Sequence, residues 1–470
     1  MKREATLTSG SVGMKLLLMT LPMIPGHFAM VAFNFADRYF ISDLGTLPLA
    51  AIGFILPVEM VISSVALGLA AGTGSLVSQA IGSGDGDAQR IATDSLILSV
   101  TIVAILSVIG MLTIDPVFKL MGASEEVMPL IRQYMTIWYI GMAFVVVPMV
   151  GNNAVRATGD TIFPSVVMIA GAGVNFALDP LLIYGWGPFP RLEMRGAALA
   201  TVFGRMMTMT AALLVLHYRH RLLSFARPRL AETLRSWVSI LNLAGPAAAT
   251  SVLFPLSMFV VTRIVAGYGE EAVAATGAGW AIQNIAVLPL ISLSTVIIAF
   301  TGQNWGARKI DRLLTGKTLS FQFAIVWGFL CALVLALAAR PLARVFSDKP
   351  AVLDNIVIYL WIVPLSLGPG AIPRLVGMMF NGVGRPMISM KINAIYMIGL
   401  LIPASWLGSI TFGFPGILLG NVVAGVLAAV FSHFVLRTFL QDAAITRPVE
   451  AQPEISEAPA TRPVDTDPAA

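Results

Sequence analysis

The run KLLLMTLPMIPGHFAMVAFNFADRYFISDLGTLPLAAIG, from Lys15 to Gly53, is apolar, with Pro22 and Pro25 near its start and Asn34, Asp37 and Arg38 towards its far end. Its skeleton returns later in the chain. Pro22 recurs as Pro246, Gly45 as Gly269, Ala50-Ala51 as Ala274-Ala275 and Gly53 as Gly277, each pair 224 residues apart. Gln79-Ala-Ile-Gly82 matches Gln303-Asn-Trp-Gly306 at the same spacing. Tyr134 and Tyr359, Pro148 and Pro373, and Gly159 and Gly384 follow one residue wider, and Gly196 and Gly416 still correspond after a short deletion. One feature does not recur. The position equivalent to Asp37 is Val261, so that ionisable residue belongs to the first copy alone.

The surroundings of this repeat are those of a membrane protein. Of the 470 residues, 57% are hydrophobic and 12% charged, with a mean hydropathy of +0.83. Soluble domains average about 25% charged residues. Apolar runs of 20 or more residues alternate with short polar connectors, the pattern of membrane-spanning helices rather than of the alternating strands of a barrel. About twelve spans are expected, near 14–41, 48–80, 91–113, 127–155, 162–186, 196–217, 238–267, 274–304, 315–340, 352–380, 387–408 and 416–437. The chain then divides into a cytoplasmic segment 1–13, a six-helix lobe 14–217, a basic linker 218–237, a second six-helix lobe 238–437 and a disordered cytoplasmic tail 438–470.

Six spans per copy is an even number. Both copies insert the same way up, so their symmetry axis runs along the membrane normal and a site is expected between or within the halves. Basic residues set the orientation. Lys2, Arg3, Lys15, Arg90, Arg219, Arg221, Arg227, Arg229, Arg235, Arg308, Lys309, Arg312, Arg385 and Lys391 fall on the side of the N-terminus, which places both termini in the cytoplasm. The net charge of +5 is this loop asymmetry and does not point to nucleic acid. A single cysteine, Cys331, excludes an internal disulfide. No cleavable leader is read at the N-terminus; the first apolar run is a retained span.

Acids inside the spans are few: Asp37, Glu59 and Asp179, with Asp94 near a cytoplasmic end. An ionisable group in the bilayer core is costly and by default functional. The plainer alternative for Asp37 is a structural partner for Arg38. Asn175 lies one turn before Asp179, and Pro180 leaves the carbonyl of Phe176 without its helical donor. An amide, a carboxylate and a free carbonyl suit a proton relay or a small hard cation, and Thr201 adds a hydroxyl. Two carboxylates meeting in a poorly hydrated cavity titrate as a coupled pair. Glu59, whose repeat partner is Gln283, would attract organic cations if it faces a cavity, with Asn34 beside it. P-loop, Ser-x-x-Lys and His-Glu-x-x-His motifs are absent, and the four histidines have no ligand spacing, so no enzyme or cofactor is expected. The Gly-Asp-Gly-Asp stretch after Gly82 is a turn, too short for a calcium loop.

Ala36-Asp37-Arg38-Tyr39-Phe40-Ile41 with Leu44-Gly45, Arg156-Ala157-Thr158-Gly159-Asp160, Asp179-Pro180-Leu181-Leu182-Ile183, Gly196 to Thr201 and Gly302 to Ala307 together resemble the multidrug and toxic compound extrusion (MATE) family. The resemblance implies a V-shaped pair of six-helix lobes in an inner membrane, exporting amphipathic, often cationic compounds in exchange for H⁺ or Na⁺. By resemblance Asp37 is the first-helix aspartate that drives transport, with Asn175, Asp179 and Thr201 as its partners, and Na⁺ at Asp37 and Asp179 as the metal alternative to a proton. Pro22, with Pro25 after it, is similar to the proline at which that helix bends. The seventh span lacks Asp and Glu, which moves the coupling site to the first lobe. The chain is expected to work as a monomer. The alternative is a lipid-linked oligosaccharide or lipid II flippase of the related superfamily, for which a basic central cavity is expected; Arg156, Arg205, Arg263 and Arg374 are the residues that favour it.

Overall fold

A computed structural model of the chain describes residues 5–84, 87–224 and 230–446. Lys2, Arg3, Asp85, Gly86, Arg227, Arg229 and residues 447–470 of the expected tail lie outside these ranges. Nearly all of the described chain is helical, with no strand among the described residues. The first half holds α1 (Val12–Ser42), α2 (Thr46–Ser83), α3 (Ala88–Leu120), α4 (Met128–Ala157), α5 (Ile162–Ile183) and α6 (Met194–Leu214). The second holds α7 (Leu230–Ala266), α8 (Glu270–Ala286), α9 (Leu288–Gly306), α10 (Ile310–Leu337), α11 (Ala339–Phe346), α12 (Pro350–Ile362), α13 (Leu367–Gly382), α14 (Pro386–Ala394) and α15 (Ile402–Thr446).

Ten stretches of the described residues, with α12–α13 and α14–α15 each taken as one, are long and apolar enough to cross a membrane, and the pair α8–α9 makes an eleventh, bent by 53°. Helices α14 and α15 run together as one stretch, but Gly413 breaks it with φ 66° and ψ −144°. Counting its two arms separately brings the spans to the twelve expected from sequence. The bend at Val287 has a local cause. Pro289 has no N–H to donate back into α8, whereas its repeat counterpart in the unbroken α2 is Val65. Helix α7 begins at Leu230, inside the stretch assigned to the linker 218–237, and α15 runs to Thr446, past the expected boundary at 437. Large apolar side chains such as Leu112, Ile140 and Leu337 point outward, as they must where the solvent is lipid and only internally hydrogen-bonded backbone is tolerated.

The two halves exchange the starts of their first helices. Leu16, Met19 and Met23 of α1 pack into a core made by α9, α10, α13 and α15, while Ile240 and Ala244 of α7 pack into the core of the first half. The repeat is thus visible as reciprocal packing, since Ile240 is the counterpart of Leu16. The same end of the bundle is clasped by hydrogen bonds. Gln79 Nε2 of α2 donates to the carbonyl of Gly382 at 2.9 Å, and Gln303 Nε2 of α9 donates to the carbonyl of Ala157 at 2.7 Å. Donors and acceptors are both repeat-related pairs. Between them α2 and α9 touch backbone to backbone. A Cβ on Gly82 would lie 2.1 Å from the Gln303 carbonyl oxygen, and one on Gly306 would lie 2.3 Å from that of Gln79. No side chain fits there, so both copies need glycine.

The N-terminal segment closes over this clasp. Leu7 is buried; its N–H donates to Gln303 Oε1 at 3.0 Å and its carbonyl accepts from Arg312 at 3.0 Å. Lys309 donates to the carbonyl of Thr8 at 3.0 Å.

Candidate functional site

A cavity of about 560 Å³ lies within the first half, walled by α1, α2, α4, α5 and α6 and closed on one side by Ile291 and Thr295 of α9. The approach of α1 to α5 that shapes it depends on Gly26, whose Cβ would meet Ser165 Oγ at 2.7 Å; Ser165 in turn donates a short hydrogen bond to the Pro22 carbonyl. Pro22 and Pro25 lie inside one unbroken helix.

Asp37 lines this cavity from the last two turns of α1, with Asn34 one turn earlier. Its Oδ1 is buried and has no hydrogen-bond partner. Asp179 sits behind the cavity wall on α5, fully buried, with neither carboxyl oxygen bonded. The two aspartates lie close enough to act on each other's charge. Asn175 and Thr201 both line the cavity, and the Asn175 amide nitrogen reaches Thr201 Oγ1 at 3.5 Å while its Oδ1 is unpartnered. Asp37, Asn175 and Thr201 thus share the cavity, and Asp179 lies behind its wall within electrostatic range of Asp37. Their open oxygens, from Asp37, Asp179 and Asn175, are hard donors suited to a proton or a small monovalent cation.

Glu59 also lines the cavity and accepts a hydrogen bond from Tyr134 at 3.4 Å, with Asp37 and Arg205 in electrostatic range. Its counterpart Gln283 does not line it. Gln283 Oε1 accepts from Tyr359 Oη at 2.8 Å in the second half, so its place in the substrate cavity is corrected: the repeat puts it at the equivalent position of the other half. Sequence reasoning missed the Tyr134–Glu59 contact, although a signal was present, since Tyr134 recurs as Tyr359 at nearly the spacing that relates Glu59 to Gln283. Asp94, the remaining intramembrane acid, stands apart from the cavity and pairs with Arg90 at 3.7 Å.

Of the four arginines that favour a basic cavity, only Arg156 and Arg205 line it. Arg263 is exposed on α7, and Arg374 lies on α13 beside Tyr396. The Arg205 guanidinium stands over the Phe33 ring, 5.8 Å from its centroid. The connector after α4 is held from outside the spans. Asp160 accepts from the Phe163 N–H at 3.1 Å and pairs with Arg219 and His220, each at 3.2 Å. The His220 hydrogen bond, above all, holds the Asp160 carboxyl below the usual carboxylate range, against an opposing effect of burial.

Comparison with known proteins bears on the fold and the family. A MatE family profile matches twice, over residues 22–181 and 246–407, beginning at the repeat-related Pro22 and Pro246. A protein of Shewanella oneidensis named FAD transporter is 37% identical over 92% of this chain and 96% of its own length. Multidrug export protein MepA of Staphylococcus haemolyticus is 24% identical over 89% of this chain and 91% of its own. Among solved structures, the Vibrio cholerae MATE transporter VcmN in the bent form superposes with a TM-score of 0.88 at 27% identity, covering 94% of this chain and 99% of that one. With ten or eleven apolar spans among the described residues, a duplicated helical fold and a family match that spans both copies, the chain belongs to the MATE family of membrane transporters and is not an enzyme.

Proposed function

We propose that the protein is a secondary active exporter of the inner membrane, driven by inward movement of H⁺ or Na⁺, with both termini in the cytoplasm and the monomer as its working unit. Asp37 and Asp179 carry the coupling ion, and Asn175 and Thr201 complete its ligands. The cavity bounded by Asn34, Glu59 and Tyr134 receives an amphipathic organic compound. The observation that carries this reading is the group of unbonded buried oxygens shared by Asp37, Asp179 and Asn175 beside a cavity. Buried carboxylates without partners are costly unless a proton or cation joins them. Substrate and ion, by favouring opposite states, shift one equilibrium. Pro22 and Pro25 are the positions at which α1 would yield.

The test is ethidium efflux from proteoliposomes under a pH gradient alone and then a Na⁺ gradient alone. Efflux driven by one gradient names the ion; a protein that exports under neither would remove the antiport reading for this substrate. The relative named FAD transporter favours a second substrate reading, a flavin nucleotide, and FAD-loaded vesicles put it through the same assay. Fluorescent lipid-linked sugars in parallel vesicles separate an exporter from a flippase.

A further inference from the structure

We propose that Arg156 and Arg205 form an anion subsite within the cavity, which takes the phosphate or pyrophosphate of an amphipathic substrate whose aromatic or apolar body lies against Phe33, Tyr134 and Trp138. This rests on reading the cavity as the substrate site. The charges in the cavity are segregated by depth. Asp37 and Asp179 sit in the last two turns of α1 and α5, and Arg156 sits in the last turn of α4, a helix that runs the opposite way towards the clasped end. His27, which is in electrostatic range of Arg156, lies ten residues before Asp37 on α1, or about 15 Å at the rise of a helix. Arg205 stands between the two levels, midway along α6.

Neither guanidinium makes a hydrogen bond or an ion pair among the described residues, and Arg156 Nε is buried without an acceptor. Glu59 alone among the acids acts on Arg205, and it already receives the Tyr134 hydroxyl. An arginine keeps its charge and offers five donors in a planar fork that matches phosphate. Two such forks facing one cavity are a good environment for a phosphoryl group. Flat aromatic walls beside them suit a ring system, with Phe33 already stacked under one fork. The cavity volume lies within the range of about 300–1,000 Å³ typical of small-molecule sites. Two sources carry this chemistry: a free nucleotide such as a flavin, or the pyrophosphate headgroup of a lipid-linked precursor.

Binding to the full chain in lipid nanodiscs, without any gradient, distinguishes them. Titrations of FAD, FMN, riboflavin and undecaprenyl pyrophosphate are followed by tryptophan fluorescence for the wild type, Arg156→Gln, Arg205→Gln and Arg205→Lys. FMN and FAD should bind at least about tenfold more tightly than riboflavin, and each Gln variant should weaken them about 10- to 100-fold while leaving riboflavin unchanged. Arg205→Lys, which keeps the charge and loses the fork, should fall between. Tight binding of undecaprenyl pyrophosphate with the same arginine dependence, and none of the flavins, upholds the subsite and assigns it to a headgroup. Equal affinity for riboflavin and FAD in the wild type, which needs no variant to fold, would overturn the proposal. So would phosphate binding indifferent to both arginines, or no phosphate compound bound at all. FAD bound in nanodiscs but never exported under a gradient would instead count against the transport reading and leave the subsite standing.

Discussion

The two halves hold the same contact in different chemistry. In the first, Tyr134 donates to Glu59; in the second, Tyr359 donates to Gln283 at the repeat-related positions. Asp37 faces the cavity of the first half, where the second has Val261. The scaffold is duplicated and the ionisable groups are not. A duplicated bundle can therefore keep its packing in both copies while, among the described residues, the buried carboxylates stand in one copy alone. The clasp between the halves makes the opposite point, because there both copies keep the same residues. Gln79 and Gln303 each reach a carbonyl of the other half, and Gly82 and Gly306 each admit the other's backbone.

Breaking the asymmetry at its strongest point should have the largest effect. Asp37→Asn, which removes the charge that the second half lacks, is expected to bring gradient-driven efflux down to background with the protein still folded in the membrane. Adding Val261→Asp should not rescue it. Efflux that survives Asp37→Asn, or returns with the second substitution, would show that the coupling site is not confined to the first half. Glu59→Gln makes the first half resemble the second. It is expected to weaken export of organic cations about tenfold, the size of one charge interaction of about 1.4 kcal/mol, with less effect on neutral substrates. The converse Gln283→Glu should leave transport kinetics unchanged. Equal losses for cations and neutral compounds would remove Glu59 from substrate recognition.

The clasp sharpens the comparison from the symmetric side. Gln79→Ala and Gln303→Ala each delete one hydrogen bond between the halves, about 1 kcal/mol, and should shift the conformational population roughly fivefold away from the clasped state. Spin labels on the two halves would read that shift as a change in distance distribution. Gln303→Ala should have the larger effect, because Gln303 also accepts from the Leu7 N–H. The smallest effect is expected outside the spans. Asp160→Asn should lower stability by about 1 kcal/mol in a thermal melt. Because the folded-state pKa of Asp160 lies below its unfolded value, this contribution is present above the ordinary carboxylate range and is lost as pH falls through the folded pKa. The wild-type and Asp160→Asn melting temperatures should therefore converge in acid.

The helical membrane class and the duplication were legible in the sequence, as was the placing of Asp37 and Asp179 inside their spans. Hydropathy over twenty residues reports a solvent, a fixed offset reports a copied scaffold, and an acid in an apolar run is too costly to be incidental. Broken helices were only partly legible. Pro289 marks the bend between α8 and α9, yet Pro57 lies within an α2 that stays continuous. What one residue does to a long helix depends on the neighbours that recover its lost hydrogen bond.

Tertiary structure alone decided which polar residues share a cavity. Arg156 and Arg205 line it while Arg263 and Arg374 do not, and Gln283 is turned away to Tyr359. Nothing in spacing or composition separates these residues, because a side chain's surroundings within a bundle are set by how its helix is rotated and which helix faces it. The exchange of the starts of α1 and α7 between the two cores is decided in the same way, by packing between segments more than two hundred residues apart.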